Sequence, residues 1–299
     1  MSKAGILLVD KPKGITSRQA IDMVQKWFAG KLPVGHAGTL DPLASGLLVV
    51  FLGWSTRLAE YVQNMGKTYR CVFLLGAKSA TDDSEGPIEA VEGVEIPDLA
   101  QIENALTKFV GWIDQVPPAH SAAWVDGKRA YRLARKGREV SIAPRKVCVK
   151  SIQVESYEYP RLQLTIDCGK GTYIRSIARD LGELLGTGGY VENLDRISIG
   201  SFLKENALDP NIKPENLDEV LLPPHAALVQ LPSYTLPMEA ANRLCLGTAI
   251  PLPETIKSEH EQGEMILFDE TGRFRGLVKM VFAGETKMLT PVKVFHESE

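Results

Sequence analysis

The stretch GHAGTLDPLASG, residues 35–46, places a single carboxylate, Asp41, among small and apolar residues. An aspartate that precedes a proline commonly starts a turn or caps a helix, which is the simplest interpretation. As half of a hydrolase carboxylate pair, Asp41 would need a second acid nearby, and the nearest acids along the chain, Asp22 and Glu60, have no evident reason to converge on it. As a lone nucleophile, it would need a positive partner such as Arg175 to stay ionised in an apolar pocket. The pattern alone leaves these three alternatives open.

The stretch CGKGTYIRSI, residues 168–177, first suggests a phosphate-binding loop because glycines, a lysine and a threonine crowd together. That loop requires the order G-x-x-x-x-G-K-[ST], whereas here Gly171 follows Lys170, so ATP binding is not predicted. What remains is a strand, a glycine turn and a helix whose first turn carries Tyr173 and Arg175. The guanidinium of Arg175 is either an ordinary surface group or a fork of donors for a carboxylate or phosphate.

The elements that position these residues follow from the periodicity of the apolar side chains. GILLVDKPKG predicts a short strand that ends in a turn, and TSRQAIDMVQKWFAG predicts a helix in which Thr16 and Gln19 form a capping box. After the Asp41 stretch, LLVVFLG is a continuous apolar run of strand length. STRLAEYVQNM and PDLAQIENALTKFVG predict helices, and VCVKSIQVESYEY and RLQLTIDCG predict alternating strands.

Two further segments each place a set of side chains on one face. KTYRCVFLLG predicts a strand in which Tyr69, Cys71, Phe73 and Leu75 share one face. TYIRSIARDLGELLG predicts a helix with Ile174, Ile177, Leu181 and Leu184 on one face.

Composition excludes several classes of protein. The chain has 299 residues, of which 44% are hydrophobic, so it can bury a sizeable core as one large domain or as a large and a small one. It contains no run of about 18 apolar residues and no signal peptide, so we expect a cytoplasmic protein without a membrane partner. The four cysteines form no CxxC pair and the five histidines no HExxH, so neither a metal site nor a disulfide is predicted. The acids of TDDSEG do not alternate as a calcium loop requires.

Charge is unevenly distributed although the net charge is only −3. Residues 121–150 carry nine Lys or Arg against two acids, whereas residues 79–107 carry eight acids and no base. The basic segment is either a contact for a polyanion or a solvated helical face, and charge alone does not decide between them.

The chain divides into two predicted domains. A proline-rich connector at 207–224 precedes a string of short strands, so we expect a large domain at 1–233 and a small β domain at 234–299. A segment at about 116–145 begins with paired prolines and looks like an excursion from the main body. The small domain holds seven bases against ten acids, so an RNA contact there would rest on shape or on a small patch such as Arg273, Arg275 and Lys279.

Four stretches together, LLVDKPKGITS, GHAGTLDPLASGLL, KTYRCVFLLG and GKGTYIRSIARDLG, resemble in order and spacing the motifs of the bacterial TruB family of tRNA pseudouridine synthases. The resemblance runs from about Gly5 to Phe295. It implies an α+β fold, with a mixed β-sheet pseudouridine-synthase catalytic domain flanked by helices and a small C-terminal β-rich PUA-like domain. The excursion at 116–145 resembles the family's RNA-gripping thumb, which favours the polyanion interpretation of the basic segment.

The resemblance also implies roles for particular residues. The catalytic aspartate falls on Asp41, its salt-bridge partner on Arg175, and the tyrosine that packs on the extruded base on Tyr69. An acid that joins the Asp–Arg network falls on Asp83, although SATDDSEG departs from the usual alternation of Thr and Asp. The residues expected at the substrate or RNA are His36 against the disrupted T-loop stack, Tyr173, Lys11 in the first motif, and Lys128, Arg129, Arg132 and Arg135 in the thumb.

The activity implied is the isomerisation of uridine to pseudouridine at position 55 of the tRNA T arm. The atoms balance without any addition, so this enzyme class, an intramolecular-transfer isomerase, needs neither cofactor nor metal. The stacked target base must be flipped out, which costs a few kcal/mol of unstacking. The expected partner is tRNA, with no obligate protein partner and a monomeric state. Two alternatives are a tRNA-folding chaperone that acts independently of catalysis and a guide-RNA-dependent synthase subunit; the thumb insertion speaks against the second.

Overall fold

The computed structural model describes residues 4–30, 32–121, 124–125, 128–130, 142–253 and 263–295, and of residues 124–125 and 128–129 only the backbone. Lys128 and Arg129 form a two-residue strand, whereas Arg132 and Arg135 lie outside the described residues. The predicted thumb at 116–145 is thus described only in part, and its role stays a prediction.

The described residues form eighteen strands and six α-helices. The strands, in chain order, are β1 (Gly5–Lys11), β2 (Val34–Ala37), β3 (Ala44–Leu52), β4 (Lys67–Leu75), β5 (Ala77–Ser79), β6 (Ile88–Ala90), β7 (Gly111–Gln115), β8 (Trp124–Val125), β9 (Lys128–Arg129), β10 (Arg145–Glu158), β11 (Arg161–Cys168), β12 (Gly189–Ile199), β13 (Phe202–Leu203), β14 (Ser233–Leu236), β15 (Ile250–Pro251), β16 (Glu264–Asp269), β17 (Phe274–Ala283) and β18 (Thr286–Val294). The α-helices are α1 (Ser17–Gln25), α2 (Ala59–Asn64), α3 (Leu99–Leu106), α4 (Ile174–Leu184), α5 (Leu217–Val220) and α6 (Met238–Cys245).

Nine of the described strands form one mixed sheet. Seven follow the order β1-β3-β12-β4-β11-β10-β7, while β2 pairs with β3 and β13 with β12. The pair of β3 and β12 is parallel, and its register sets Arg196 beside Gly46. On its other side β12 runs antiparallel to β4, where Arg196 is beside Tyr69. The central strand β12 therefore connects the strand that follows Asp41 to the strand that carries Tyr69.

One face of this sheet packs against α3 and α4. Alternation along β4 places Tyr69, Cys71, Phe73 and Leu75 on one face, as predicted, and all four are buried. The apolar stripe of α4 supplies Ile174, Ile177, Ala178 and Leu181 to the same core. Leu184, which was predicted to share this face, is 43% exposed: it is the last residue of α4, after which the chain turns at Gly186 (φ 71°).

The same face of the sheet, farther along at β1 and β3, packs against α1. The predicted capping box is present: the backbone N–H of Gln19 donates to the Thr16 hydroxyl, and the Thr16 N–H donates to the Gln19 side chain. Val24 and Trp27 pack on the apolar strands there. The cap fixes where α1 begins, and this places Ser17 at its first position.

The C-terminal strands form a separate five-stranded sheet in the order β14-β16-β17-β18-β15. A tight turn at DETGR joins β16 to β17, as predicted, whereas α6 against this sheet was not predicted. Arg275 is 6% exposed and donates to Asp269 and Asn242, so it cannot belong to the predicted surface patch. The reason is that Asp269, itself fully buried, draws the guanidinium inward.

Aromatic rings join the two sheets. Trp54 stacks on Phe295 with ring centroids 4.2 Å apart, and Phe274 lies 5.5 Å from Phe295. Tyr61 also donates its hydroxyl to Glu264 across the same junction. The C-terminal sheet is therefore fixed to the large sheet by apolar packing.

The architecture agrees with the predicted α+β class: it has a mixed sheet, flanking helices and a small β-rich C-terminal part. The domain boundary at 233/234, at the start of β14, stays a prediction. No helix within the described ranges is long and apolar enough to cross a membrane.

Candidate active site

Asp41 lies in the loop between β2 and β3, and this loop is fixed from two sides. Leu40 and Leu43, on either side of Asp41, are buried in the core. The backbone N–H of Leu40 donates to the Ser17 hydroxyl (2.8 Å), and that hydroxyl donates to the Leu40 carbonyl (3.0 Å). With its neighbours held inside, Asp41 directs its carboxylate into a cavity, and the side chain is 35% exposed.

Arg175 contacts Asp41 and Asp83 together. One guanidinium nitrogen, Nη2, lies 2.8 Å from Oδ2 of Asp41 and donates to the His120 carbonyl at 3.0 Å. The other, Nη1, lies 3.0 Å from Oδ2 of Asp83 and donates to the Thr81 carbonyl at 3.0 Å. Arg175 is 3% exposed, so this is a buried ion-pair network in which the Asp41 carboxylate is the one that reaches the cavity.

Asp83 is held in the turn between β5 and β6. Its Oδ1 accepts from the Thr81 hydroxyl (2.5 Å) and from the Glu85 N–H (3.0 Å). Its neighbour Asp82 has a left-handed backbone (φ 59°) and pairs with Arg179 instead. The two consecutive acids thus face different cations, and it is Asp83 that meets Arg175.

Burial sets the basicity of Asp41. Removal from water raises the pKa of the Asp41 carboxyl above its usual value, and the Asp83 carboxylate raises it further. The Arg175 guanidinium and Lys11 act in the opposite direction. The net result is a raised pKa, which makes the Asp41 carboxylate a stronger base and nucleophile than a solvated aspartate.

The start of α4 is fixed by a residue that sequence analysis missed. Gln115, at the end of β7, is 1% exposed; its amide accepts from the Tyr173 N–H (2.8 Å) and donates to the Tyr173 carbonyl (3.0 Å). The Ser176 hydroxyl and Arg179 both donate to the Val116 carbonyl. These bonds fix the first turn of α4, and with it the position from which Arg175 extends.

The cavity beside Asp41 has a volume of about 330 Å³, within the range of sites that enclose a small ligand. It brings together five of the predicted residues, which come from β2, the Asp41 loop, β4 and α4 with its cap: His36, Asp41, Tyr69, Tyr173 and Arg175. A larger groove of about 550 Å³ between α3 and β10 contains none of them.

Arginine side chains lie beside the two tyrosines of the cavity. Tyr69 is 8% exposed and lies opposite Arg196 on the neighbouring strand; burial raises the pKa of its hydroxyl, and the charge of Arg196 opposes this. The Arg145 guanidinium lies 4.6 Å from the ring centre of Tyr173. Burial and the charge of Arg196 lower the pKa of His36, whose Nδ1 has no hydrogen-bond partner among the described residues. The rings of Tyr69 and Tyr173 and the Nδ1 atom of His36 thus line the cavity beside Asp41.

Lys11 lies beneath the site rather than in its wall. It is fully buried, and its ammonium donates to the carbonyls of Pro12 (2.9 Å) and Ile15 (2.7 Å). Burial lowers its pKa to about 8, although the charge of Asp41 opposes this. From this position Lys11 stabilises the turn that follows β1. A contact between Lys11 and RNA stays a prediction.

Lys67 and Arg196 also line the cavity and were missed. The alternation that turns Tyr69 inward does the same to Lys67, two residues earlier, which is 7% exposed. Arg196 shares its inward position with Leu194 on β12 and is 1% exposed. A strand pattern that puts a cation on the buried face was therefore a usable signal.

Comparison with known proteins gives a family and a fold. Residues 26–174 match the model of the TruB family pseudouridylate synthase (N terminal domain). The chain is 40% identical over 296 residues to tRNA pseudouridine synthase B of Dehalococcoides mccartyi, covering 97% of this chain and 96% of the relative. It is 39% identical over 303 residues to the protein of the same name from Caulobacter vibrioides, covering 98% and 96%.

Solved structures with the same fold include the chain of an H/ACA RNP bound to a substrate RNA containing 2′-deoxyuridine, with a TM-score of 0.72 and 21% identity over 98% of this chain and 85% of that one. A chain of a Cbf5-Nop10-Gar1 complex matches with a TM-score of 0.72 and 23% identity over the same shares. Both similarities extend through the small C-terminal sheet.

Proposed function

The chain belongs to the TruB family of pseudouridylate synthases, and we propose that it isomerises uridine to pseudouridine at position 55 in the T arm of tRNA, with Asp41 as the catalytic carboxylate. The observation that carries the proposal is the buried network of Asp41, Arg175 and Asp83, which opens at the Asp41 carboxylate into a cavity of about 330 Å³. The curated relatives that share this chain's full length are tRNA pseudouridine synthases by name, which supports tRNA as the substrate.

The chemistry explains why the cavity needs these residue types. The bond between C1′ and N1 of the nucleotide breaks, the uracil turns, and C5 bonds to C1′ in its place. As the bond breaks, the sugar becomes electron-deficient, and the Asp41 carboxylate relieves this by bonding to the nucleotide as a nucleophile or by removing a proton. Arg175 keeps Asp41 ionised despite its burial. The reaction rearranges one nucleotide, so its atoms balance without a co-reactant.

The cavity also suits an extruded base. Flipping a uridine out of a stacked loop costs a few kcal/mol, which stacking on an aromatic ring partly recovers. Tyr69 offers such a face within the wall of the cavity, and Tyr173, held beneath Arg145, offers a second. We assign the base to the space beside Tyr69.

Replacement of the carboxylate tests the proposal. We expect Asp41→Asn to lower the single-turnover rate of tritium release from T-arm RNA labelled at C5 of the target uridine by about 10⁴-fold or more. The dissociation constant for the same RNA should change little, because Asn preserves the shape of Asp41. Continued release at the wild-type rate would refute the assignment of Asp41.

The wild-type chain, alone with bare T-arm RNA, is the matched control. Release in the absence of any other protein or RNA supports an autonomous enzyme, whereas a requirement for a guide RNA would contradict it. RNA refolding without any tritium release from the wild-type chain would favour the chaperone alternative instead.

A further inference from the structure

Two buried cations, Lys67 and Arg196, line the same cavity as Asp41 and lie side by side. A Cβ atom built on Gly38 would lie 3.3 Å from Nη1 of Arg196 and 3.4 Å from Cε of Lys67. Arg196 is 1% exposed and Lys67 is 7% exposed. The two positive charges thus approach each other around Gly38, in a region with little water.

Backbone carbonyls, not carboxylates, accept from both cations. Arg196 donates to the carbonyls of Leu47 (2.8 Å) and Gly38 (2.9 Å). Lys67 donates to the carbonyls of Gln63 (3.0 Å) and Met65 (2.8 Å). In the part of the chain that the structure describes, no acid forms an ion pair with either of them, in contrast to Arg175 with its two carboxylates.

Such a pair is costly unless an anion joins it. Burial lowers the pKa of Lys67 to about 8, and the charge of Arg196 contributes to this shift. Unpaired buried charges are normally avoided, because the desolvation of each costs several kcal/mol. A chain that keeps two of them in the wall of one cavity is arranged to receive negative charge there.

We propose that Lys67 and Arg196 form an anion site that stabilises the uracil as it separates from the sugar; this inference rests on the proposed function. When C1′–N1 breaks, the electron pair stays with the base, which becomes a monoanion delocalised over N1, O2 and O4. When C5 bonds to C1′, the pair returns, the C5 proton leaves, and N1 takes up a proton. The negative charge exists only between these two events, so the cations favour the transition states over the neutral bound nucleotide.

The position of Tyr69 links this site to the base. Its ring lies in the cavity wall, and Tyr69 is the cross-strand neighbour of Arg196. A uracil against that ring would have the guanidinium near its edge. A phosphodiester is the other anion of the substrate, but contacts to a backbone phosphate are usually made by exposed side chains, such as the exposed Lys170 at the same cavity. The burial of Lys67 and Arg196 therefore favours the base.

The test compares two leaving groups. T-arm RNA is prepared with uridine or 5-fluorouridine at the target, since fluorine withdraws electrons and makes the uracil anion more stable. Single-turnover loss of the target nucleoside is followed by chromatography of nuclease digests. We expect Arg196→Met to slow the reaction of uridine by about 10²-fold, the usual effect of removing one donor to a developing anion, and that of 5-fluorouridine by less than about 10-fold. Lys67→Met should show the same contrast, with an unchanged dissociation constant for RNA.

Three results would overturn the inference. If Arg196→Met slowed the reactions of uridine and 5-fluorouridine equally, the role of Arg196 would be limited to its hydrogen bonds to the Gly38 and Leu47 carbonyls. Weaker RNA binding, with the salt-dependence slope reduced by about one, would identify a phosphodiester contact. If Arg196→Met and Lys67→Met both kept full activity, the two cations would have no role in stabilising the uracil anion. If Arg196→Met does not fold, Lys67→Met alone decides, because within the described ranges the Lys67 ammonium donates only to the carbonyls of Gln63 and Met65. A wild-type chain inactive on both RNAs would refute the proposed function itself and not merely this site.

Discussion

The substitution Asp83→Asn tests the network around Arg175 most directly. In the native chain, Oδ2 of Asp83 faces Nη1 of Arg175, while Oδ1 accepts from Thr81 and from the Glu85 N–H. An asparagine has one oxygen and one NH₂ group for these two sides. If its oxygen stays near Glu85, its NH₂ group faces the guanidinium, donor against donor. If it turns over, the Glu85 N–H loses its acceptor.

The magnitude follows from this geometry. Asp83 is 2% exposed and Arg175 is 3% exposed, so water cannot replace the lost partner. Breaking a buried ion pair by removing one partner costs about 3–5 kcal/mol. Arg175 keeps Asp41 and two carbonyls, so we expect a loss of about 3 kcal/mol in the free energy of unfolding, at the lower end of that range. Urea denaturation measures it.

Asp83→Asn should also shift the pH dependence of catalysis in a defined direction. The Asp83 carboxylate helps to raise the pKa of Asp41, so its removal lowers the pKa of Asp41. If ionised Asp41 is required, the acid limb of the single-turnover rate should move to lower pH, although the plateau falls by about 10²-fold because Arg175 is less well held. Tritium release from T-arm RNA, measured between about pH 5 and pH 8, gives both quantities.

The adjacent acid provides the matched control. Asp82 pairs with Arg179, which also binds Asp180 and the Val116 carbonyl. Asparagine tolerates the left-handed backbone at this position (φ 59°). Asp82→Asn should therefore cost about 1–2 kcal/mol, less than Asp83→Asn because Arg179 keeps its other partners, and leave the rate profile unchanged. Equal effects at 82 and 83, or an acid limb that moves to higher pH in Asp83→Asn, would refute the reasoning.

Two further predictions concern residues away from the carboxylates. Gln115→Met keeps the side-chain volume but leaves the Tyr173 N–H without its acceptor, which should cost about 1–3 kcal/mol in urea denaturation and lower the single-turnover rate more than RNA affinity; a weakened affinity with an unchanged rate would contradict a positioning role. Trp54→Ala removes the ring stacked on Phe295 and should cost about 2 kcal/mol, less than for a fully buried Trp, and weaken RNA binding without slowing single turnover at saturating RNA. A lower rate at saturation would show that the junction affects the active site.

Much of the fold could be predicted because its elements obey simple periods. The alternation in β4 and the capping box of α1 are local patterns, and local chemistry decides them. Leu184 fits the same helical period as Ile177, yet it is exposed, because periodicity places a residue on a face and does not show where the covering layer ends. The helix α6 was missed because the surrounding strand signals are stronger.

Some residues of the site were predicted from the sequence and others were missed. The missed residues are those whose hydrogen-bond partners are backbone groups. Asp41 and Arg175 stand in motifs that resemble those of a known family, and it was this resemblance that implied their ion pair. Ser17, Gln115 and Arg196 act on backbone groups of distant segments. A carbonyl or an N–H is present at nearly every position, so the sequence does not indicate which one a buried side chain will meet.

The charge balance of the site explains how Arg175 can hold Asp41 without disabling it. A single guanidinium against a single carboxylate forms a neutral pair, which favours the ionised acid and lowers its basicity. Here Arg175 divides its two nitrogens between Asp41 and Asp83, so these three groups carry one net negative charge; burial first, and then the charge of Asp83, raise the pKa of Asp41. Asp83 accepts from the Thr81 hydroxyl and the Glu85 N–H and is 2% exposed, whereas the Asp41 side chain is 35% exposed. The excess charge is therefore available at the carboxylate that opens into the cavity, where an electron-deficient sugar would need it.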